Sequence, residues 1–314
     1  MRGLGSSSRA LVRHSRFAVV FCFALFAALF FPALAAGQAP GPTDGLLDSL
    51  VHDYETSSAS WLERIAPLAQ RTFAILAALE FAVSGLWWAL GRDSLDEIGA
   101  SLLRKFFLLS FLYSLIYLFP LWVPFVTRGF QTAGQTAAGI NTVNPSQLLD
   151  LGLTIASNML LSFGSLGFLA NPTGNIVASI TAFFVVLAYT VIAARICLTL
   201  IESYIVLTGG LLFLGFAGFR LTATFAENYI LYAFHVGTKI YLLYLLVGIG
   251  TAMSQRWAGL SFTPSTEVFP PSLTPHFHVM AGALIFALLA WKLPSSVAAR
   301  LTQGATFRLQ DALR

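Results

Sequence analysis

Six ionisable side chains lie inside strongly apolar stretches of this 314-residue sequence: Arg71, Glu80, Arg195, Glu202, His235 and Lys239. A charge at the centre of a bilayer costs about 2.5 to 3.5 kcal/mol on insertion scales, so residues of this kind mark either a function or a pair made across helices. Glu80 is flanked by Ile75, Leu76, Ala77, Ala78, Leu79 and Phe81. His235 and Lys239, four apart, share a helix face. Arg195 and Glu202, seven apart, also face one way. About 10 Å separates them along the axis, so each needs a partner on another helix, and Lys239 would serve Glu202. Tyr204 adds a phenol near Glu202, and Gly209 and Gly210 punctuate the same run. Two readings follow: a polar path for ions or a translocated polymer, or a few interhelical ion pairs that fix register in a bundle.

Enzyme constellations are thin. The sequence contains no Gly-x-Ser-x-Gly, no His-Glu-x-x-His and no Gly-x-x-x-x-Gly-Lys-Ser/Thr loop, so hydrolase, metalloprotease and nucleotide-driven motor readings lose their usual supports. His276 and His278 fall in what reads as a Pro-rich outer loop, and two histidines without a third ligand are weak grounds for a metal. Cys22 and Cys197, both in apolar runs, make neither a disulfide framework nor a thiolate metal site. The expectation is a non-enzyme with no catalytic, cofactor-binding or metal-binding residues.

The elements that hold these residues are set by composition. Charged residues make up 10% of the chain, against roughly 25% in soluble domains, with 57% hydrophobic residues and a mean hydropathy of +0.76. This is the composition of a polytopic helical membrane protein. Arg2, Arg9, Arg13 and Arg16 account for the whole net charge of +4, which leaves no basic field to hold duplex DNA by counterion release. Those arginines precede an apolar stretch from Phe17 to Leu34 and the small residues Ala33-Leu34-Ala35, the order of a secretory signal cleaved after Ala35; an uncleaved first helix is the alternative.

The organisation expected is a signal peptide over 1–35, then a periplasmic segment over 36–66 with five acids and no base between 44 and 63. Within it Leu47, Val51, Tyr54, Ser58, Trp61 and Ile65 fall on one helical face, fit to lie on the membrane, dock a partner or pack on the chain's own bundle. Two transmembrane helices occupy 67–127, with spans at Leu68–Gly91 and Lys105–Thr127. A small-residue-rich periplasmic loop covers 128–175, in which Gly129, Ala133 and Ala137 allow close helix approach and 151–170 is surface-lying or re-entrant. A transmembrane bundle with a Gly-Gly break covers 176–293, and a cytoplasmic tail covers 294–314.

Within that bundle the apolar run Ile176–Phe219 parses as a hairpin turning near Cys197, or as one helix to Thr208 followed by a re-entrant or interfacial piece. Spans at Tyr229–Met253 and His278–Leu293 follow. The long helix gives about five crossings. It gathers Arg92, Arg104, Lys105, Arg220, Lys292, Arg300, Arg308 and Arg314 on one side, against Arg64, Arg128 and Arg256. The positive-inside rule then favours a periplasmic N-terminus and a cytoplasmic C-terminus in the bacterial inner membrane.

Four stretches carry a resemblance to the TrbL family of conjugal transfer proteins, polytopic inner-membrane subunits of type IV secretion systems. They are residues 46–54 with Trp61, Ile75 to Phe81, Phe130 to Gly139, and Leu200 to Gly218, the last being the most specific. The resemblance implies a channel and assembly component that supports transfer of single-stranded DNA and proteins and assembly of the pilus. Its partners would be pilin, outer-membrane core and ATPase subunits, further copies of itself, the lipid bilayer and, transiently, the single-stranded DNA. It offers no catalytic residue to carry over. Contacts that longer family members make through a hydrophilic C-terminal region do not carry over either. The rival reading is a secondary transporter of a small solute that uses Glu80, Glu202, His235 and Lys239.

Overall fold

The computed structural model describes residues 45–90, 95–140, 144–161, 172–260 and 274–302, and among them every regular element is helical. The expected signal peptide, the Pro-rich stretch 269–273 and the tail beyond Thr302 lie outside the described residues. The helices are α1 (Leu46–Leu90), α2 (Leu95–Tyr117), α3 (Phe119–Ala138), α4 (Pro145–Leu161), α5 (Pro172–Gly209), α6 (Leu211–Gly215), a 3-10 turn (Phe216–Gly218), α7 (Ala223–Ala258) and α8 (Thr274–Thr302). Five stretches are long and apolar enough to cross a membrane: α1, α2, Ile176–Gly218, α7 and α8. The protein is an all-α, multi-pass membrane protein.

The segment expected outside the membrane and the first span form one helix, α1, of 45 residues, which continues through Pro67. Its buried residues are Asp48, Val51, Ser58, Ala69, Phe73, Glu80 and Ser84. Leu47, Val51, Ser58 and Ile65 of the expected apolar face turn inward, whereas Tyr54 and Trp61 remain exposed. The inward stripe drifts around the helix because 3.6 residues per turn does not divide a seven-residue repeat.

Two expectations are corrected in the middle of the chain. The span placed at Lys105–Thr127 is two helices: α2 starts at Leu95, and the break at Leu118 precedes Pro120, which stands at the start of α3. Proline supplies no N–H to the helical ladder and its ring crowds the preceding turn, so a new helix starts there. Trp122 Nε1 donates to the Leu115 carbonyl at 2.9 Å across the joint. Residues 128–175, expected as a loop, hold the end of α3 and all of α4. Small residues do permit close approach here, although the contacting set lies one position on from Ala133 and Ala137. A Cβ on Gly134 would fall 2.9 Å from the Tyr241 carbonyl oxygen, and Ala138 fills the space a side chain at Gly248 would occupy. On α4, Gly152 leaves room for the Tyr189 ring.

The run from Ile176 is one helix, not a hairpin. α5 passes straight through Arg195 and Cys197 and stops at Gly209. Neighbour contacts fix the directions of the helices. α1 runs parallel to α5 and its continuation: Leu47 lies by Cys197, Glu55 by Tyr204, Ala69 by Gly215 and Glu80 by Arg220. α2 is antiparallel to α1, with Tyr113 on Phe73 and Lys105 on Glu80. α7 is antiparallel to α5, through Tyr189 with Ser254, Glu202 with Lys239 and Leu207 with Tyr229. α8 reverses again, with Phe286 against Gly250 and Trp257 against Gly282. The five spans therefore alternate in direction. Two apolar cores lie along them, one among α4, α5, α7 and α8, the other among α1, α2, α6 and the start of α7.

Candidate functional site

Glu80 is wholly buried and its partner is Lys105, at 2.9 Å. By sequence Lys105 opens a span at the edge of a loop; in the structure it is itself buried, because α2 begins ten residues before it and carries it in against α1. Lys105 Nζ also donates to Ser84 Oγ at 2.6 Å, and Trp88 lies 5.9 Å away beneath the ammonium. The second carboxylate oxygen of Glu80 accepts from the backbone N–H of Arg220 at 3.2 Å. A charged pair in a low-dielectric setting is tolerable when its remaining bonding capacity is filled in this way. The cluster joins three separate pieces of chain: α1, α2 and the turn after the 3-10 element.

The second cluster joins α5 to α7. Lys239 Nζ donates to Glu202 Oε2, and Tyr232 OH donates to Glu202 Oε1 at 3.2 Å. His235, expected to act with Lys239, turns to α8, where Nδ1 meets Thr302 Oγ1 at 3.2 Å while its ring stacks on Tyr232. Tyr204 points the other way, toward Glu55 of α1, which pairs with Arg128 of α3 at 3.5 Å. Arg195 reaches α8, donating to Ser295 and lying 5.2 Å from the Trp291 ring. Arg71 is exposed on α1.

Between the clusters lies the glycine break. The two glycines are not equivalent: a Cβ on Gly209 meets nothing within 4 Å, whereas one on Gly210 would fall 1.9 Å from the Tyr229 ring. Tyr229 OH donates to the Leu207 carbonyl at 2.9 Å, so the residue that fits against Gly210 also satisfies backbone loosened at the break. α6 and the 3-10 turn then lie directly on α1. A Cβ on Gly215 would stand 2.7 Å from the Ala69 carbonyl oxygen, and one on Gly218 2.6 Å from that of Phe73. Thr222 Oγ1 closes the turn by donating to the Phe216 carbonyl at 2.8 Å.

Glu202 and Lys239 thus come together, as do Gly210 and Tyr229. Glu80, Arg195 and His235 go to separate partners. The residues that sequence reading missed are Lys105, Ser84, Tyr229 and Tyr232. Position relative to the helix ends carries a signal for Lys105: Glu80 stands ten residues before the end of α1, and Lys105 ten after the start of α2. Equal distances from adjoining ends bring residues of antiparallel helices level. His276, expected in a loop, is buried in the first turn of α8 and takes the Met159 backbone as its hydrogen-bond partner.

Fold and site together define a multi-pass helical membrane protein in which Glu80 and Glu202, in apolar helices, each pair with a lysine of another helix, and whose helix α5 breaks onto a short packed element. The family model described as TrbL/VirB6 plasmid conjugal transfer protein matches residues 77–293, and the chain belongs to that family. It is 28% identical over 264 residues to a probable conjugal transfer protein TrbL of Sinorhizobium fredii (strain NBRC 101917 / NGR234), covering 83% of this chain and 64% of the relative. To a conjugal transfer protein TrbL of Rhizobium radiobacter it is 25% identical over 283 residues, covering 90% of this chain and 69% of the relative. The chain thus spans about two thirds of the length of these relatives.

Proposed function

We propose that this chain is an inner-membrane channel and assembly component of a conjugative type IV secretion system, without catalytic activity of its own, that supports transfer of single-stranded DNA and proteins and assembly of the pilus. The observation that carries the reading is the coincidence of the family match with the architecture: residues 77–293 run from the Glu80 cluster through the glycine break to the last apolar helix. Energy would come from separate ATPase subunits, and pilin, outer-membrane core subunits and further copies of the chain would be its partners. The ion pairs favour this reading over a solute carrier. Glu80 and Glu202 each already hold a lysine from another helix, and the groups a carrier would gather in one cavity are spread over separate interfaces.

A clean in-frame deletion in a host carrying the transfer system should abolish conjugative transfer or protein secretion without slowing growth. Complementation with Glu202→Gln, which keeps shape but removes the charge facing Lys239, should restore only a minor part of it. Normal transfer in the deletion strain would refute the proposal.

A further inference from the structure

Asp48, in the first turn of α1, is a buried carboxylate without a countercharge. It is 6% exposed, and among the described residues no base pairs with it and no hydrogen bond reaches it. The titratable groups that feel its field, Cys197 on α5 and Tyr244 on α7, are weak acids and offer no positive charge. A charge buried in this way is costly unless a base, a set of N–H donors or a bound ion answers it.

A second polar group without a partner lies beside it. Ser146 Oγ, in the first turn of α4, is buried and makes no hydrogen bond. The two groups meet across Gly45: a Cβ there would fall 1.9 Å from Ser146 Oγ and 3.0 Å from Asp48 Oδ2, and glycine leaves that space open. The Cys197 thiol donates to the Leu47 carbonyl at 3.9 Å and so holds the start of α1 against α5. Around the joint Val51, Leu148 and Leu200 belong to one apolar core, so little water screens the carboxylate. A bond from Ser146 to Asp48 would satisfy the hydroxyl and still leave the charge unanswered.

We propose that Asp48 and Ser146 bind a monovalent cation of sodium's size, which ties the start of α1 to the start of α4. A cation answers both groups at once, taking the carboxylate charge and a lone pair of the hydroxyl. Carboxylate and hydroxyl oxygens are hard donors, which suit a hard ion. One carboxylate balances one positive charge, whereas calcium takes six to eight oxygens and usually more than one carboxylate. Water completes the shell through the narrow opening that Asp48 keeps. A softer metal would need the Cys197 sulfur, which is turned to the Leu47 carbonyl. The assignment does not depend on the secretion reading.

The test uses the full-length protein in detergent, unfolded thermally in sodium, choline or calcium chloride at one ionic strength, with bound sodium followed by sodium NMR relaxation. Sodium should raise the unfolding midpoint above that in choline and do so saturably, as a ligand of the folded state does. Calcium should do no better. Asp48→Asn should abolish the difference between sodium and choline, and Ser146→Ala should weaken the apparent sodium affinity about tenfold, the effect of losing one oxygen partner to a charge. Asp53→Asn makes the same change of charge at an exposed position of α1 and should leave both readouts as they are. Equal midpoints in sodium and choline, or a sodium effect that survives Asp48→Asn, would overturn the proposal. Calcium acting at lower concentration than sodium would overturn the choice of a monovalent ion. Should Asp48→Asn fail to fold, the wild-type comparison and the Ser146→Ala titration decide the matter.

Discussion

Glu80 has no contact with solvent, so its carboxylate depends entirely on what the fold brings to it: the Lys105 ammonium on one oxygen and a backbone N–H on the other. Removing one member of such a pair leaves a bare buried charge, which costs about 3 to 5 kcal/mol, whereas replacing both with apolar groups of similar size is often close to neutral. Lys105→Met is therefore expected to lower the unfolding midpoint of the purified protein sharply, and adding Glu80→Leu to recover most of the loss. A double variant as unstable as the single one would mean that the Arg220 N–H, left without its acceptor, matters more than the pair. The sequence made Glu80 conspicuous because it interrupts an apolar run. It hid Lys105, which stands beside Arg104 and two residues before Phe107 and so reads as the polar edge of a loop; its burial follows from a helix start at Leu95 that only tertiary packing settles.

At the scale of elements, the unbroken α5 was legible because nothing near Cys197 makes a turn, and its end was legible because Gly209 and Gly210 are the first punctuation in the run. The break between α2 and α3 was overlooked although Pro120 announces it, since high hydropathy on both sides masks a single proline. α3 and α4 escaped notice for the opposite reason: their small and hydroxyl residues lack the hydropathy of a span, and they are helices because Gly134 and Gly152 let them press against tyrosines of α7 and α5. The same steric logic separates the two glycines of the break. Gly210→Val must displace Tyr229, which costs the Leu207 carbonyl its donor, while Gly209→Val meets open space. Gly210→Val should abolish transfer at normal membrane levels of the protein, and Gly209→Val should keep at least a large part of it. Equal tolerance of both would make the break ordinary packing.

Across the whole molecule, the five spans alternate in direction, as a five-crossing chain requires, while the contacts of α5 set the start of α1, at Leu47, level with Ser295 near the end of α8. The direction of insertion rests on charge. Lys105 leaves the count of cytoplasmic bases because it is neutralised inside the bundle, and the remaining seven still outnumber Arg64, Arg128 and Arg256. Arg128 is weaker still as a topological signal, since it pairs with Glu55. On that bias the positive-inside rule predicts Arg220 and the basic end of α8 in the cytoplasm. A reporter fused after Arg314 is expected to be active only in the cytoplasm, and one inserted near Asn144, between α3 and α4, only in the periplasm. The two fusions together test more than either alone. Swapped activities would mean that the protein is inverted or that one of α1 and α2 does not cross, with α1 the first to suspect, since its amino-terminal half carries Asp48, Asp53, Glu55 and Glu63. Activity of both on the same side would mean that one of α5, α7 and α8, the three long helices between the two fusion points, does not cross; α1 precedes both points and cannot produce that outcome, since its failure to cross would move both fusions together.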